Sequence, residues 1–253
     1  MHLPSPRGGQ ALSPGSMRKA GNWSDPGVAA EYERRRFTSP LQRLKHRRDE
    51  SLVAALLEET GEGALVLDLP AGTGRLLRVL TAGGRRVVAA DLSLAMLRAR
   101  VGLPPGVLGR LQASAFELPF RSASFDAVVS LRFLFHLDDR AERVRVLREL
   151  GRVSRGVVLG QVRFRGTFKH LGRWARSRVG LSRRYAPSSS RADVAGELEE
   201  AGLRLDRLVP VSRAFSDKAL FLAKAPVRRQ SLSSTFARSR AEGWTLGGEG
   251  GRK

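Results

Sequence analysis

The chain has 253 residues, which is enough for one domain of roughly 170–200 residues with extra segments at its ends. It contains no cysteine, and this excludes disulfides, thiolate metal sites, iron–sulfur clusters and a cysteine nucleophile. Its formal net charge of +21 raises the question of a nucleic-acid partner.

The two ends of the chain differ in composition from its middle. Residues 1–27 are rich in proline, glycine and serine, and residues 226–253 lack apolar periodicity, so both are predicted to be disordered. Residues 28–225 are predicted to form the folded domain. The N-terminus lacks a signal peptide's apolar core, and no apolar run reaches the roughly 18 residues of a membrane span. We therefore expect a cytoplasmic protein.

The first periodic segment is Val28–Glu59, where apolar residues recur near helical spacing around a break at Pro40. The segment is also rich in arginine. It is either a basic helical lid or an ordinary packing helix.

The most informative stretch is Ala64–Leu80, which reads ALVLDLPAGTGRLLRVL. Its first part, Ala64–Leu69, is too short for a helix and rich in valine and leucine, as expected of a parallel strand buried on both faces. Gly72 and Gly74 follow in a turn, where the backbone can approach a ligand because no Cβ intervenes. A leucine-rich pattern comes next, so we expect a strand, a tight loop and a helix whose first amides face the bound group.

A second predicted strand, Arg86–Ala90, ends in an acid. Asp91 follows it directly, 17 residues after Gly74. An acid at the tip of the second strand of such a unit is placed to accept hydrogen bonds from ribose hydroxyls. Ser93 is expected to cap the helix that follows.

The rest of the chain alternates between further strands and helices. The predicted strands are Val107–Ala113, Ser124–Leu131, Gly156–Phe164, Leu203–Val211 and Lys218–Lys224, and the predicted helices are Ala141–Val153 and Arg191–Gly202, the second ending at a glycine C-cap. This alternation predicts an α/β fold. Ligands of such folds bind at the carboxyl ends of the strands.

Three runs, VLDLPAGTGRL, VVAADLSLAMLRAR and LQASAFELPFRSASFDAVVSLRFLFHL, resemble the class I S-adenosylmethionine-dependent methyltransferases. The nearest group is the type 11 small-molecule enzymes, which includes quinone C-methyltransferase-like proteins, and the resemblance covers Leu52–Lys224. It implies a Rossmann-like, doubly wound seven-stranded sheet, mostly parallel, with a C-terminal antiparallel hairpin. It also implies S-adenosylmethionine as cofactor and methyl transfer to oxygen, nitrogen or carbon of a small-molecule acceptor.

The resemblance also implies which residues contact the cofactor. These are Asp68, Pro70, Gly72, Thr73, Gly74, Asp91, Leu92, Ser114, Ala115 and Leu131. Two of them depart from the family pattern, because Pro70 replaces the usual first loop glycine and Ser114 replaces an acid that binds the adenine amino group. Ser114 can still accept one hydrogen bond, more weakly than a carboxylate. Leu92 is expected to pack on the adenine.

Two candidate catalytic residues follow the fourth strand. Methyl transfer needs the nucleophile in line with the methyl group, so positioning can supply most of the rate. His136 is either a general base or a structural histidine beneath the loop. Arg132 either orients an anionic substrate or pairs with an acid such as Asp138.

Other nucleotide-binding classes fit less well. A nicotinamide-dependent fingerprint needs a third glycine, which Gly72-Thr-Gly74-Arg-Leu-Leu77 lacks, and an apolar residue where Asp68 stands. A P-loop is excluded because Gly-Lys-Ser/Thr is missing. The Asn/Asp-Pro-Pro-aromatic tetrapeptide of exocyclic-amine methylation does not follow the fourth strand. A non-catalytic S-adenosylmethionine-binding protein stays open because of Pro70 and Ser114.

The positive charge is concentrated in three segments, Arg34–Arg48, Arg163–Arg184 and Pro226–Lys253. The insertion at 165–190 carries interleaved aromatic residues and is interpreted as a lid over the substrate. The alternative is an rRNA or tRNA methyltransferase in which these segments bind the nucleic acid.

Overall fold

The computed structural model describes residues 27, 40–99, 102–168, 170–172, 174, 188–212 and 216–224. Several predicted features lie outside these residues: the disordered leader before Gly27, the first part of the helical segment before Pro40, most of the basic insertion, and the tail at 226–253.

A seven-stranded sheet forms the centre of the fold. Its strands are β1 Leu65–Asp68, β2 Arg86–Asp91, β3 Val107–Gln112, β4 Phe125–Ser130, β5 Ser154–Arg163, β6 Arg204–Pro210 and β7 Lys218–Lys224. Their spatial order is β3-β2-β1-β4-β5-β7-β6. β1 to β5 run parallel, whereas β7 is antiparallel to both β5 and β6. The predicted α/β class, the mostly parallel sheet and the C-terminal hairpin are confirmed.

Five α-helices accompany the sheet in the described part of the chain. They are α1 Pro40–Leu56, α2 Leu77–Thr81, α3 Leu94–Arg98, α4 Arg140–Val153 and α5 Arg191–Glu200. Short 3₁₀ turns lie at Glu58–Thr60, Ala82–Gly84 and Leu134–His136. None of these helices is long and apolar enough to cross a bilayer.

The predicted strand, tight loop and helix are present around the glycine turn. Turns occupy residues 72–76, and helix α2 begins at Leu77. Gly72 and Gly74 have φ of +57° and +77°, a left-handed conformation that a right-handed helix cannot include.

Both faces of the sheet are buried, as the valine- and leucine-rich strands predicted. One core contains β1, β4 and β5 residues packed with α4 and α5: Leu67, Val128, Val158, Leu147, Leu150, Val194 and Leu198. The other contains residues of the same strands packed with α1 and α2: Val66, Val129, Leu159, Val53, Leu56, Leu77 and Leu80. The described C-terminal half of α1 therefore packs as an ordinary core helix does.

Two helix ends were read correctly from the sequence. The Ser93 hydroxyl accepts a hydrogen bond from the Met96 amide at 3.1 Å and caps α3. Gly202 has φ of +79° after α5, and the Leu203 amide donates to the Leu198 carbonyl at 2.8 Å. This is the predicted glycine C-cap.

The strand order places one crevice at the carboxyl edge of the sheet. The chain proceeds from β1 to β3 in one direction along the sheet and then crosses back to β4, so the order reverses between β1 and β4. Such a reversal leaves a crevice above the strand ends, which is the usual ligand site of open α/β sheets.

Candidate functional site

The loop between β1 and α2 lies at this reversal point. The Ala71 amide donates to the Ala90 carbonyl at 2.8 Å, and the Gly74 amide donates to the Ala71 carbonyl at 3.0 Å. A Cβ added at Gly72 would meet only the Met96 side chain at 3.5 Å, an ordinary contact. Glycine is therefore required here by the positive φ and not by crowding within the protein. The Leu69–Pro70 peptide bond is cis.

Asp91 fastens this loop to the end of β2. Its Oδ2 accepts from the Gly72 amide and its Oδ1 from the Ser93 amide, both at 2.8 Å. Burial raises the pKa of Asp91, and hydrogen bonds from the amides of Ser93, Gly72 and Leu92 oppose that shift. A carboxylate has about four acceptor positions, so these three donors leave room for a hydroxyl group. Asp91 thus stands beside the glycine turn, as a ribose-binding acid would.

Asp68, at the end of β1, is the most perturbed acid of the site. It is 1% exposed, and its Oδ2 has no hydrogen-bond partner among the described residues. Burial raises the pKa of Asp68 to about 7, Arg75 opposes the shift and Asp91 adds to it. The Ser130 hydroxyl, at the end of the neighbouring β4, is also buried and unpartnered in the described structure. Such groups are costly unless a ligand completes their hydrogen bonds.

The other predicted cofactor residues lie around the same edge in different environments. Leu92 is 47% exposed next to Asp91, so its side chain is free to cover a bound base. The Ser114 hydroxyl accepts from the Phe116 amide at 3.3 Å within its own turn. Thr73 is buried in the glycine loop. Ala115 is buried in the core beside α4 and α5, and Leu131 in the core beside α1 and α2. These last two can shape the floor of the site but supply no polar side-chain group.

A buried ion-pair group joins α1 to the site. Asp49 is 4% exposed, and its Oδ2 lies 3.1 Å from Arg75 Nη1 and 3.8 Å from Arg132 Nη2. His46 Nδ1 lies 3.5 Å from Arg75 Nη1. Arg132, which follows β4, therefore pairs with an acid as one of its two alternatives predicted, but the acid is Asp49 of α1 and not Asp138.

Two further cations stand at the ends of β5 and β7. Arg163 and Lys218 are register partners in the antiparallel pair. Both contact the Phe135 ring, with Lys218 Nζ 4.6 Å and Arg163 Cζ 5.4 Å from its centroid. Burial lowers the pKa of Lys218 to about 8, Arg132 lowers it further, and Asp49 and Asp217 oppose the shift.

Two polar residues near this group were visible in the sequence. Lys218 opens the apolar strand KALFLAK, and Gln161 interrupts the apolar run VVLGQV, so both were visible as polar residues at strand positions. Asp49 was visible only as an acid four residues before Val53 on the same helix face. Which cations it meets depends on the tertiary fold.

His136 lies next to the cationic group. It ends the 3₁₀ turn at Leu134–His136, and its ring centroid is 4.7 Å from that of Phe135. The histidine is half-buried at the carboxyl edge of the sheet. Its role as general base or structural residue stays a prediction.

Residues 67–157 match the family model described as "Methyltransferase domain", of type 11. Demethylmenaquinone methyltransferase from Thermobifida fusca (strain YX) is 36% identical over 132 residues, which are 51% of this chain and 53% of that protein. The chain thus spans about half the length of this curated relative. The segment that the family model matches, residues 67–157, runs from β1 into β5 and contains the glycine loop and Asp91.

Solved structures show the same fold. Magnesium protoporphyrin IX methyltransferase from Synechocystis PCC 6803 with bound SAH superposes with a TM-score of 0.63 at 18% identity, covering 83% of this chain and 99% of that one. The cyclase SpnF superposes with a TM-score of 0.54 at 18% identity, covering 70% of this chain and 81% of that one. Residues 67–157 therefore match the type 11 methyltransferase domain, and the described chain shares the fold of magnesium protoporphyrin IX methyltransferase.

Proposed function

We propose that this chain transfers the methyl group of S-adenosylmethionine to oxygen, nitrogen or carbon of a small-molecule acceptor by in-line displacement. The observation that carries the proposal is the buried Asp68, whose Oδ2 has no hydrogen-bond partner in the part of the chain that the structure describes, beside a glycine loop hydrogen-bonded to Asp91. The similar Thermobifida fusca protein is named for a small-molecule acceptor, demethylmenaquinone, which supports the same substrate class here.

The polar groups present fit this cofactor. Asp91 retains room to accept from a ribose hydroxyl, and the exposed Leu92 offers an apolar surface for the base. Asp68 would accept a hydrogen bond from the cofactor, and its carboxylate would favour the cofactor's positive charge. S-adenosylmethionine supplies a methyl group on a positively charged sulfur. Glycines at 72 and 74 keep the loop in the left-handed conformation that exposes its backbone.

On the acceptor side, the groups available are His136 and Arg132. We propose that His136 takes a proton from the acceptor where the nucleophile is protonated, because it is half-buried at the carboxyl edge. Arg132 has φ of +61°, which a non-glycine residue adopts only at a cost, and this conformation accompanies its contact with Asp49. We assign Arg132 to orientation of the acceptor.

The domain organisation is also proposed. Residues 28–225 form the methyltransferase domain, with a leader at 1–27, a basic lid at 165–190 and a tail at 226–253. We place the protein in the cytoplasm, which fractionation of native cells would check.

The small-molecule assignment is tested against the nucleic-acid alternative by salt titration, because RNA or DNA affinity that rests on phosphate contacts falls steeply with salt. Affinity for RNA that survives physiological salt and disappears when Arg163–Arg184 is neutralised would favour the alternative.

Calorimetric titration of the full chain tests the cofactor assignment. S-adenosylmethionine and S-adenosylhomocysteine should bind, and NAD should not. Asp91→Ala should weaken binding by about 1–3 kcal/mol, because ribose hydroxyls lose their acceptor. Asp206→Ala, at a surface acid of β6, is the matched control and should leave binding unchanged. Binding of NAD without S-adenosylmethionine would refute the proposal.

A non-catalytic or non-methyltransferase role is the second candidate, and one observation favours it. The similar fold of the cyclase SpnF shows that this architecture does not fix the reaction. Incubation with radiolabelled S-adenosylmethionine and a cell extract separates the two. Label in a small-molecule fraction supports transfer, whereas cofactor binding without labelled product supports the second candidate.

A further inference from the structure

We infer that the acceptor carries an anionic oxygen group, a carboxylate or phosphate, which Arg132, Arg163 and Lys218 bind where β4 and β5 end and the antiparallel β7 begins. This inference rests on the proposed function, because it concerns the acceptor of the same reaction. We call these three side chains the acceptor cations.

Unpaired donors are the first evidence. Arg132 Nε and Arg163 Nε are buried without a hydrogen-bond partner among the described residues. Gln161, at 0% exposure, leaves both its amide nitrogen and its amide oxygen unpaired in the same part of the structure. A buried donor without an acceptor costs about 1–3 kcal/mol relative to a bonded one. Several such donors in one place indicate that an acceptor-rich group is bound there in the working protein.

The geometry brings these donors together on one face. Gln161 and Arg163 are two residues apart on β5, so their side chains share a face of the sheet. Lys218 is the register partner of Arg163. Both cations contact the same Phe135 ring, and the proximity of Arg132 lowers the pKa of Lys218. The three acceptor cations therefore form one cluster.

The charge of the cluster is not balanced by its neighbours. Its described acids are Asp49, which Arg75 and Arg132 share, and Asp217, 3.7 Å from Arg163. The three acceptor cations thus face two described carboxylates, one of which Arg75 shares, and at least one positive charge remains in excess. Lys218 is largely removed from water, so this excess is poorly screened. An anionic ligand would offset it.

Position in the sheet assigns this anion to the acceptor and not to the methyl donor. The glycine loop and Asp91 lie at the ends of β1 and β2, whereas β5 and β7 are the second and third strands beyond β1 on the other side of the crevice. With strands about 4.8 Å apart, Arg163 and Lys218 lie on the order of 10–14 Å along the sheet from β1. The acceptor cations therefore face the half of the crevice that Asp91 does not.

The experiment uses the full chain saturated with S-adenosylhomocysteine. Benzoate, phenyl phosphate and neutral benzamide are then titrated by calorimetry, because they share a ring and differ in charge. Benzoate or phenyl phosphate should bind at least about tenfold more tightly than benzamide. Arg163→Gln and Lys218→Gln should each remove most of this preference. Arg155→Gln, on the same strand at the opposite sheet edge and paired with Asp126, should retain it.

The melting temperature of each variant shows whether a loss of anion binding is caused by a loss of folding. Because the excess positive charge opposes folding, Lys218→Gln should not lower the melting temperature, whereas loss of a merely structural residue would. Equal binding of the charged and neutral probes, or no binding of any, overturns the inference. If Arg163→Gln and Lys218→Gln weaken S-adenosylhomocysteine binding but keep the preference for charged probes, these cations bind the carboxylate of the donor itself. That result would also overturn the inference. Failure of the unmodified chain to bind S-adenosylhomocysteine would instead refute the proposed function.

Discussion

Replacement of Lys218 by methionine is expected to stabilise the protein at neutral pH. The lysine is held in a buried position where its pKa is about 8, against 10.5 for the free side chain. The difference of about 2.5 between the two pKa values corresponds to about 3 kcal/mol, by which folding disfavours the charged form. Methionine has a similar length and carries no charge, so Lys218→Met removes this cost.

The pH dependence follows from the direction of the shift. Because the folded pKa is the lower one, the unfolded chain binds more protons between pH 8 and pH 10.5, and the native protein gains stability as the pH rises through this window. Below pH 8 the full cost is present. The advantage of Lys218→Met over the native protein should therefore be largest near pH 7 and decrease by about 3 kcal/mol towards pH 10.5.

Urea unfolding at a series of pH values measures this difference. Other lysines and tyrosines titrate in both proteins, so their contributions cancel when the two free energies of unfolding are subtracted. Lys224→Met is the matched control, at the exposed other end of β7 beside Asp206. A Lys218→Met difference that stays constant across this pH range, or that varies no more than the Lys224→Met difference, would refute the reasoning.

Four further changes test the site. Asp68→Asn should raise the free energy of unfolding at pH 8 by a few kcal/mol. This gain should decrease as the pH falls from 7 towards 3.8, because the native Asp68 then becomes protonated. The same variant should weaken S-adenosylmethionine binding in calorimetry. Asp49→Ala should destabilise by about 3–5 kcal/mol in thermal unfolding because the buried Arg75 loses the carboxylate 3.1 Å from its Nη1, whereas Glu200→Ala at an exposed pair should cost under about 1 kcal/mol. Arg132→Gly should be more stable than Arg132→Ala by about 1 kcal/mol because glycine adopts φ of +61° without strain, and equal stabilities would contradict that account. His136→Ala should reduce turnover by a factor of about 10²–10⁴, with partial recovery at high pH and unchanged S-adenosylmethionine affinity, whereas joint loss of melting temperature and affinity would make the histidine structural.

The sheet could be predicted because its determinants are local or repetitive. Strands buried on both faces appear as short valine- and leucine-rich runs, and the predicted limits of β7 agree with the structure at both ends. Ser93 and Gly202 marked helix ends because caps depend on a few consecutive residues. Gly72 and Gly74 indicated a turn before α2, but the leucine pattern did not determine that the helix begins at Leu77.

The loop sequence predicted that Gly72 and Asp91 lie near each other at the carboxyl edge of the sheet, and the structure joins them by a hydrogen bond of 2.8 Å. The contacts among the cations were not predictable in this way. The contact of Asp49 with Arg132 joins residues 83 positions apart and depends on how α1 crosses the sheet. The pairing of Arg163 with Lys218 depends on the register of an antiparallel strand, which the intervening chain length does not determine.

Because Asp49 contacts Arg75 of the glycine loop and Arg132 of the acceptor cations, it connects the two halves of the crevice. An anion that binds Arg132 leaves Asp49 to Arg75 alone and so strengthens the contact that holds the loop against α1. We therefore expect occupancy of one half to raise affinity at the other, and thermodynamic reciprocity requires the same factor in both directions. The enzyme would then retain its donor more firmly when an acceptor is present, and Asp49→Asn should make the two binding events independent.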